Sequence, residues 1–245
     1  MTATQTPQAA EKAWIRERIW ALLEAQGIAT FPRPVAGRIP NFRGAEQAAA
    51  RLTATPAFAA ARTVKINPDA PQRPLRYQAL QAGKRVLVPT PRLRGGFYLL
   101  DPAAIPPDRW LAAASIAGFA RYGQALALEE LPPIDLVVMG AVAVAPDGAR
   151  VGKGEGYAEL EYAILRTLGR VAAATPVCTT VHDAQLVAAI PVEPFDVPVD
   201  LIATPTRLIP TATPYPRPDR VLWDYLPPAR LAAMPVLAAL RAAAR

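Results

Sequence analysis

Residues 150–157, Arg-Val-Gly-Lys-Gly-Glu-Gly-Tyr, set Gly152, Gly154 and Gly156 at every second position, between cationic side chains and the helix-ready run AELEYAILRTLGRV. Glycine has no Cβ, so the backbone amides of such a stretch can turn inward and approach an anion closely. A helix beginning near Ala158 adds its positive end. Lys153 supplies a mobile charge and Arg150 a planar one. Together these are the parts of a phosphate cradle. The spacing is not that of a Walker A loop, which needs a longer gap and Gly-Lys-Ser/Thr. The position after a turn late in the chain is not that of a Rossmann fingerprint. Taken alone, the glycine pattern serves equally well as a close-packed turn.

Other polar residues carry weaker signals. Arg92 and Arg94 follow an apolar strand, where α/β proteins often place ligand contacts, and alternate spacing puts both on one side of an extended chain. They suit ATP or an acidic substrate tail, and equally a solvated loop. Arg33, Arg38 and Arg43 are similar in kind. The lone His182 stands beside Asp183 after an apolar strand, which predicts a structural hydrogen bond more than acid–base work. Cys178 lies within a strand and reads as a small buried hydrophobe.

The elements that must position these groups follow from periodicity. Residues 11–26 have helical apolar spacing at Trp14, Ile15, Ile19, Leu22 and Leu23, and Gly27 is a C-terminal stop. Residues 28–43 read as irregular, 44–54 and 74–83 as helices, and 108–116 as one or two helical turns. Strands are expected at RTVKIN, KRVLVPTP, FYLL and PVCTTVHD, with a last pair in PVDLIATPTRLI. The Val-rich run 133–146 predicts one strand buried on both faces, as in a parallel sheet. The fold class is α/β, with a mostly parallel central sheet and helices on both faces. The whole chain, 1–245, reads as a single domain with a Pro-rich C-terminal extension over about 210–245.

Composition narrows the function. The chain has 245 residues, 52% of them apolar and 19% charged, which suits a globular domain with a sizeable core. No apolar stretch is long enough for a membrane span, and the first ten residues lack the core of a secretory signal. With only one cysteine, an intrachain disulfide cannot form, and the expected compartment is the cytoplasm. One Cys and one His exclude a zinc site built from soft ligands. The net charge of +7 is spread over scattered arginines. That pattern favours anionic small molecules over nucleic acid, without excluding the latter.

Several blocks resemble the 5-formyltetrahydrofolate cyclo-ligase (methenyltetrahydrofolate synthetase) family. The family loop R-L-G-x-G-x-G-Y-Y-D is matched by Arg150 through Glu159. The block P-x-x-x-x-D-x-x-V-D is matched by Pro191 through Asp200, with Gln185 six residues ahead. The K-x-x-x-R of the first helix is matched by Lys12 and Arg16, one turn apart on one face. The words FPRPVAGRIPNF, KINPD, LVPTPRLR, GKGEGYAELEYA and LIATPTR look like a divergent branch, the methenyltetrahydrofolate synthase domain-containing proteins.

The resemblance implies a cyclo-ligase-like fold and an ATP- and Mg²⁺-dependent ligase of one-carbon metabolism. In the family, the formyl oxygen of 5-formyltetrahydrofolate takes the γ-phosphoryl group, and the ring closes to 5,10-methenyltetrahydrofolate. It implies that Lys12, Arg16, Arg150, Gly152, Lys153, Gly154, Glu155, Gly156 and Tyr157 hold ATP. Arg150 and Lys153 would be the catalytic cations, and Glu159 and Asp196 the Mg²⁺ carboxylates. This chain departs from the family at Glu159, where the family has Asp, and at Val144 and Ala145, where it has an aromatic-Asp pair. The family's pterin-contacting acid has only Asn67 and Asp69 as candidates. A divergent role on a thiamin-related substrate, or as a non-catalytic nucleotide- or RNA-binding protein, stays open at this level. The expected partner is a small molecule, a reduced folate or another heterocycle, with the chain as a monomer or homodimer.

Overall fold

The computed structural model describes residues 6–90, 93, 96–228, 231 and 234–243. Arg92 and Arg94 lie outside the described residues. The strands in chain order are β1 (Thr63–Ile66), β2 (Arg85–Pro89), β3 (Phe97–Leu100), β4 (Gln124–Leu126), β5 (Leu136–Val138), β6 (Ala143–Val144), β7 (Arg150–Val151), β8 (Val177–Thr180), β9 (Leu201–Ala203) and β10 (Leu208–Pro210). The helices are α1 (Pro7–Ala25), α2 (Ala45–Thr53), α3 (Pro56–Ala60), α4 (Arg73–Gln81), α5 (Trp110–Ala113), α6 (Ile116–Tyr122), α7 (Tyr157–Thr167) and α8 (Pro235–Ala243).

Eight strands form one sheet in the order β10-β9-β8-β5-β1-β2-β3-β4. The central five are parallel, with Val64 of β1 opposite Val86 of β2 and Leu136 of β5. β10 on one side and β3 and β4 on the other are antiparallel. Alternate residues feed two cores, as the two-residue period of a strand requires. Val86, Val88, Leu136 and Val138 pack with Leu52, Leu75, Leu80 and Phe119 of α2, α4 and α6. Leu87, Val137 and Val177 pack on the opposite face with Ile164 and Leu165 of α7 and Leu237 and Leu240 of α8. The expected α/β class with helices on both faces is therefore observed.

The run 133–146 is not one strand. β5 stops at Val138, and the chain leaves the sheet to pair β6 with β7 in a separate antiparallel ribbon. Burial hid the break, because the residues of both segments are fully inside. Gly140 marks the departure: a Cβ there would meet Gln72 Oε1 at 3.0 Å and Asp69 Oδ2 at 3.1 Å. The ribbon turn also needs Gly148, whose φ is +89° and where a Cβ would meet the Val199 carbonyl at 2.4 Å. α6 and β4 were not expected. α6 is started by Ser115, whose hydroxyl accepts from the Gly118 amide at 3.1 Å.

α1 begins four residues earlier than its apolar period suggests, with Thr6 as N-cap and Pro7 in its first turn. Ile15, Ile19 and Leu23 of α1 pack against the ribbon through Val142, Ala143 and Val151. That packing sets Lys12 and Arg16 beside the glycine stretch. The Pro-rich segment after β10 is tied down by Arg217 to the Pro198 carbonyl at 2.8 Å and by the Val221 amide to Thr167 Oγ1 at 2.9 Å.

Candidate functional site

A cleft of about 470 Å³ opens where β1, β2 and β5 end, at Asn67, Thr90 and Gly140. Ligands in open α/β sheets gather at the carboxyl ends of strands for topological reasons. Among the described residues four cations line it: Lys12 and Arg16 from α1, Arg150 from β7, and Lys153 from the glycine loop. Glu159 of α7 and Asp196 line it too, so residues 184 positions apart in the chain meet there.

Each cation has a defined seat. Lys12 is buried, with Nζ 2.7 Å from Glu193 Oε2 and 2.5 Å from Asp196 Oδ2. Arg16 Nε donates to the Gly152 carbonyl at 2.7 Å. Its guanidinium lies flat against Gly154, where a Cβ would come within 3.3 Å of Arg16 Cζ. Gly154 also has a φ of +99°, a conformation that strains any residue with a side chain. Arg150 is buried; one terminal nitrogen donates to the Gly140 carbonyl at 2.8 Å, and the other pairs with Glu159 Oε1. Lys153 is more exposed and pairs with Glu155 at 2.7 Å.

The loop has the backbone of an anion cradle. The amides of Gly152, Lys153, Gly154 and Gly156 donate to no acceptor among the described residues. Gly156 takes the left-handed conformation and caps α7, which starts at Tyr157, one residue before the expected position. Tyr157 is half-buried and lines the cleft.

The carboxylates respond to this setting. Burial pushes the Asp196 carboxyl up, against the pull of Lys12, and the negative charge of Glu159 adds to the rise. Burial acts upward on Glu159 as well, but Arg150, hydrogen bonds and Lys12 together hold it below the ordinary glutamate range. Both hydrogen bonds of Asp196, from Lys12 and from the Glu193 amide, fall on Oδ2. A hard divalent ion suits this pair through oxygens turned away from the cations, because it would relieve the repulsion that Asp196 feels. Among the described residues, no cluster of three or more His, Cys, Asp or Glu is placed to hold a metal unaided.

The KINPD side of the cleft is built from different residues, although Asp69 there still feels the charge of Lys153. Lys65 of β1 is fully buried, with Nζ 2.6 Å from Glu161 Oε2 and 3.0 Å from Asn67 Oδ1. Burial pushes the Glu161 carboxyl up despite Lys65. Arg76 of α4 donates to the carbonyls of Asn67, Asp69 and Ala114 and so fixes the KINPD turn from below. Gln72 donates to Thr180 Oγ1 at 3.1 Å, while its buried Oε1 has no hydrogen-bond partner among the described residues. Asn67 and Asp69 both line the cleft.

Sequence reasoning missed Lys65, Gln72, Arg76 and Glu161. Glu161 sits in the quoted loop-and-helix stretch, two residues past Glu159, and Lys65 is a charge inside an apolar strand; such a charge calls for a partner. Val144 and Ala145 are buried in the ribbon. His182 Nδ1 accepts from the Ala184 amide at 3.1 Å, and Asp183 is held by Thr204, Thr206 and Arg207, so the pair is structural. Cys178 is buried, and desolvation pushes its thiol up to about 12. Of the second family block, Asp196 reaches the cleft, whereas Asp200 accepts from the Val177 amide and pairs with Arg217. Among the described residues, no helix is long and apolar enough to cross a membrane.

Comparison with known proteins agrees with these blocks. The methenyltetrahydrofolate synthase domain-containing protein of Mus musculus is 46% identical over 242 residues, covering 97% of this chain and 65% of that protein. Its Bos taurus counterpart is 46% identical over 232 residues, covering 93% and 61%. The chain thus spans less than two thirds of the length of these relatives. The solved structure of Aquifex aeolicus 5,10-methenyltetrahydrofolate synthetase superposes with a TM-score of 0.53 at 18% identity, covering 83% of this chain and 94% of that one, which supports the fold. The sequence model of the 5-formyltetrahydrofolate cyclo-ligase family matches residues 8–205, which include the whole span from Lys12 through Asp196, and the chain belongs to that family.

Proposed function

We propose that the cleft binds ATP with Mg²⁺ at its cationic end and a reduced folate of the 5-formyltetrahydrofolate type at its acceptor-rich end, and that it closes the folate ring at the expense of ATP. The observation that carries this reading is the convergence of Lys12, Arg16, Arg150 and Lys153 on a loop in which the amides of Gly152, Lys153, Gly154 and Gly156 donate to no acceptor among the described residues. Phosphoryl transfer asks a protein mainly for positioning and positive charge, and both are present.

Arg150 and Lys153 face the transferred phosphoryl group, Arg16 fixes the loop through Gly152, and Lys12 closes the phosphate side. Asp196 and Glu159 would hold Mg²⁺, with phosphate oxygens and water completing its shell. That ion supplies neutralisation of phosphate charge. Asp69 and Asn67 offer acceptors to the N–H groups of an amino-substituted heterocycle. The formyl oxygen attacks the γ-phosphorus and ADP leaves; the neighbouring nitrogen closes on the activated carbon and releases its proton to water, and phosphate departs with the former formyl oxygen. Ile39, Ile116 and Phe195 narrow the cleft with apolar surface and limit water there.

The test is incubation with ATP, Mg²⁺ and 5-formyltetrahydrofolate, followed by the absorbance of 5,10-methenyltetrahydrofolate. ATP-dependent appearance of that absorbance is expected. ATP binding without product would remove the folate assignment and keep the nucleotide site.

A further inference from the structure

A second cavity of about 330 Å³ lies on the far side of the glycine loop. It shares Gly154, Glu155, Gly156, Glu159 and Phe195 with the main cleft, so the loop forms a common wall. Apart from Arg220, its own lining is largely apolar: Leu160 and Ala163 of α7 on one side, and Val221, Leu222, Tyr225 and Leu226 on the other. The latter four belong to the Pro-rich strap, beyond residue 205, where the family match ends. We infer that this strap is a binding element: residues 218–227 form the wall against which the base and ribose of the nucleoside triphosphate lie.

Three observations converge. The cavity borders the phosphate cradle and shares Gly154, Glu155 and Gly156 with it, so a ligand whose charged tail is held at residues 152–156 has this cavity next to it for its uncharged head. Its volume and largely apolar lining suit the faces of a planar heterocyclic base. Phe195 links the chambers: the Lys12 ammonium lies 5.5 Å from its ring centre, and Tyr225 packs edge-to-face on it at 5.4 Å. The wall is also held in place before any ligand arrives. Arg217 is clamped to Asp200 at 2.5 Å, the Val221 amide to Thr167, and Tyr215 Oη to Asp147 at 3.0 Å. A preformed wall spares the ordering cost of binding. Tyr225 itself is half-exposed, so a base can reach its ring.

This inference rests on the nucleotide reading of the main cleft, and the experiment separates the two. Titration calorimetry compares Mg²⁺–ATP with Mg²⁺–tripolyphosphate, which has the phosphates and no nucleoside. ATP is expected to bind more tightly. Tyr225→Ala is expected to weaken ATP by roughly tenfold or more, the scale of one base–aromatic contact, and to leave tripolyphosphate affinity unchanged. Tyr225→Phe is expected to keep the wild-type value, and thermal melts of both variants verify that they fold. If wild-type protein binds tripolyphosphate as tightly as ATP, or if folded Tyr225→Ala keeps full ATP affinity, the strap is not the nucleoside wall. If tripolyphosphate does not bind at all, the phosphate cradle falls, and this inference with it.

Discussion

The two ends of the main cleft hold buried charge in different ways. At the phosphate end, Lys12 and Arg16 of α1 and Arg150 of β7 gather around the glycine loop, and each pairs with a group at the cleft wall. At the other end, Lys65 and Glu161 face each other inside the protein, and Asn67 bonds to both. In the first arrangement the cations are paired at the cleft surface, where a bound anion would compete for them with Glu193, Asp196 and Glu159. The second spends its charge within the fold and presents the acceptors of the KINPD turn, held up by Arg76. Affinity for an anion should therefore reside at one end, and stability at the other. Arg150 is the exception, since it serves both.

Arg150→Ala should have the largest effect. It removes a phosphate-facing guanidinium and leaves Glu159 without its partner. A stability loss of about 3–5 kcal/mol is expected from breaking a buried pair, together with loss of measurable ATP binding. Urea unfolding and calorimetry check both, and retained ATP affinity would separate Arg150 from the cradle. Glu161→Ala should cost a similar stability, about 3–5 kcal/mol, by stranding Lys65, with ATP affinity in the folded fraction unchanged. The double change Lys65→Met with Glu161→Leu should recover wild-type stability or exceed it, because well-packed apolar residues often replace a buried ion pair without loss. A double variant as unstable as the single one would show that the pair is not self-contained. Lys153→Ala should leave stability within about 0.5 kcal/mol, as exposed substitutions do. It should weaken ATP by about 10- to 100-fold, the worth of one charge-assisted contact.

The contrast also decides what could be read from the chain. Gly152 to Gly156, with Arg150 and Lys153, are contiguous, so local chemistry exposes the cradle. Lys12, Arg16 and Asp196 are scattered; position in a family pattern named them, and the fold brings them together. The parallel sheet was legible because its strands are short apolar runs. The break at Gly140 was not, because sheet and ribbon bury their residues equally. Lys65 and Glu161 lie 96 positions apart and satisfy each other only through the packing of α7 on β1. No local period encodes such a pairing. Gln72 and Arg76 lie on the face of α4 and its preceding turn that meets the KINPD segment, a contact set by tertiary packing.

The smallest effect is expected at Asp69, and it is a matter of slope. Burial holds its carboxyl above the ordinary aspartate value, although Lys153, Arg76 and Lys65 pull the other way. The folded chain therefore keeps a proton on Asp69 at a pH where the unfolded chain has released it. Its contribution to stability is complete below the unfolded value, near pH ~4, and is lost as the pH rises through the folded value. Asp69→Asn removes this dependence and keeps the side-chain shape. Relative to wild type, the variant should gain stability as pH rises from about 4 towards neutral, and the difference should level off once Asp69 is ionised in the folded chain. Urea midpoints across that range give the measurement. A difference that grows instead as the pH falls would mean that the surrounding cations, and not desolvation, govern this carboxyl. Asp69 would then belong electrostatically with the phosphate end, and the division between the two ends would have to be redrawn at the KINPD turn.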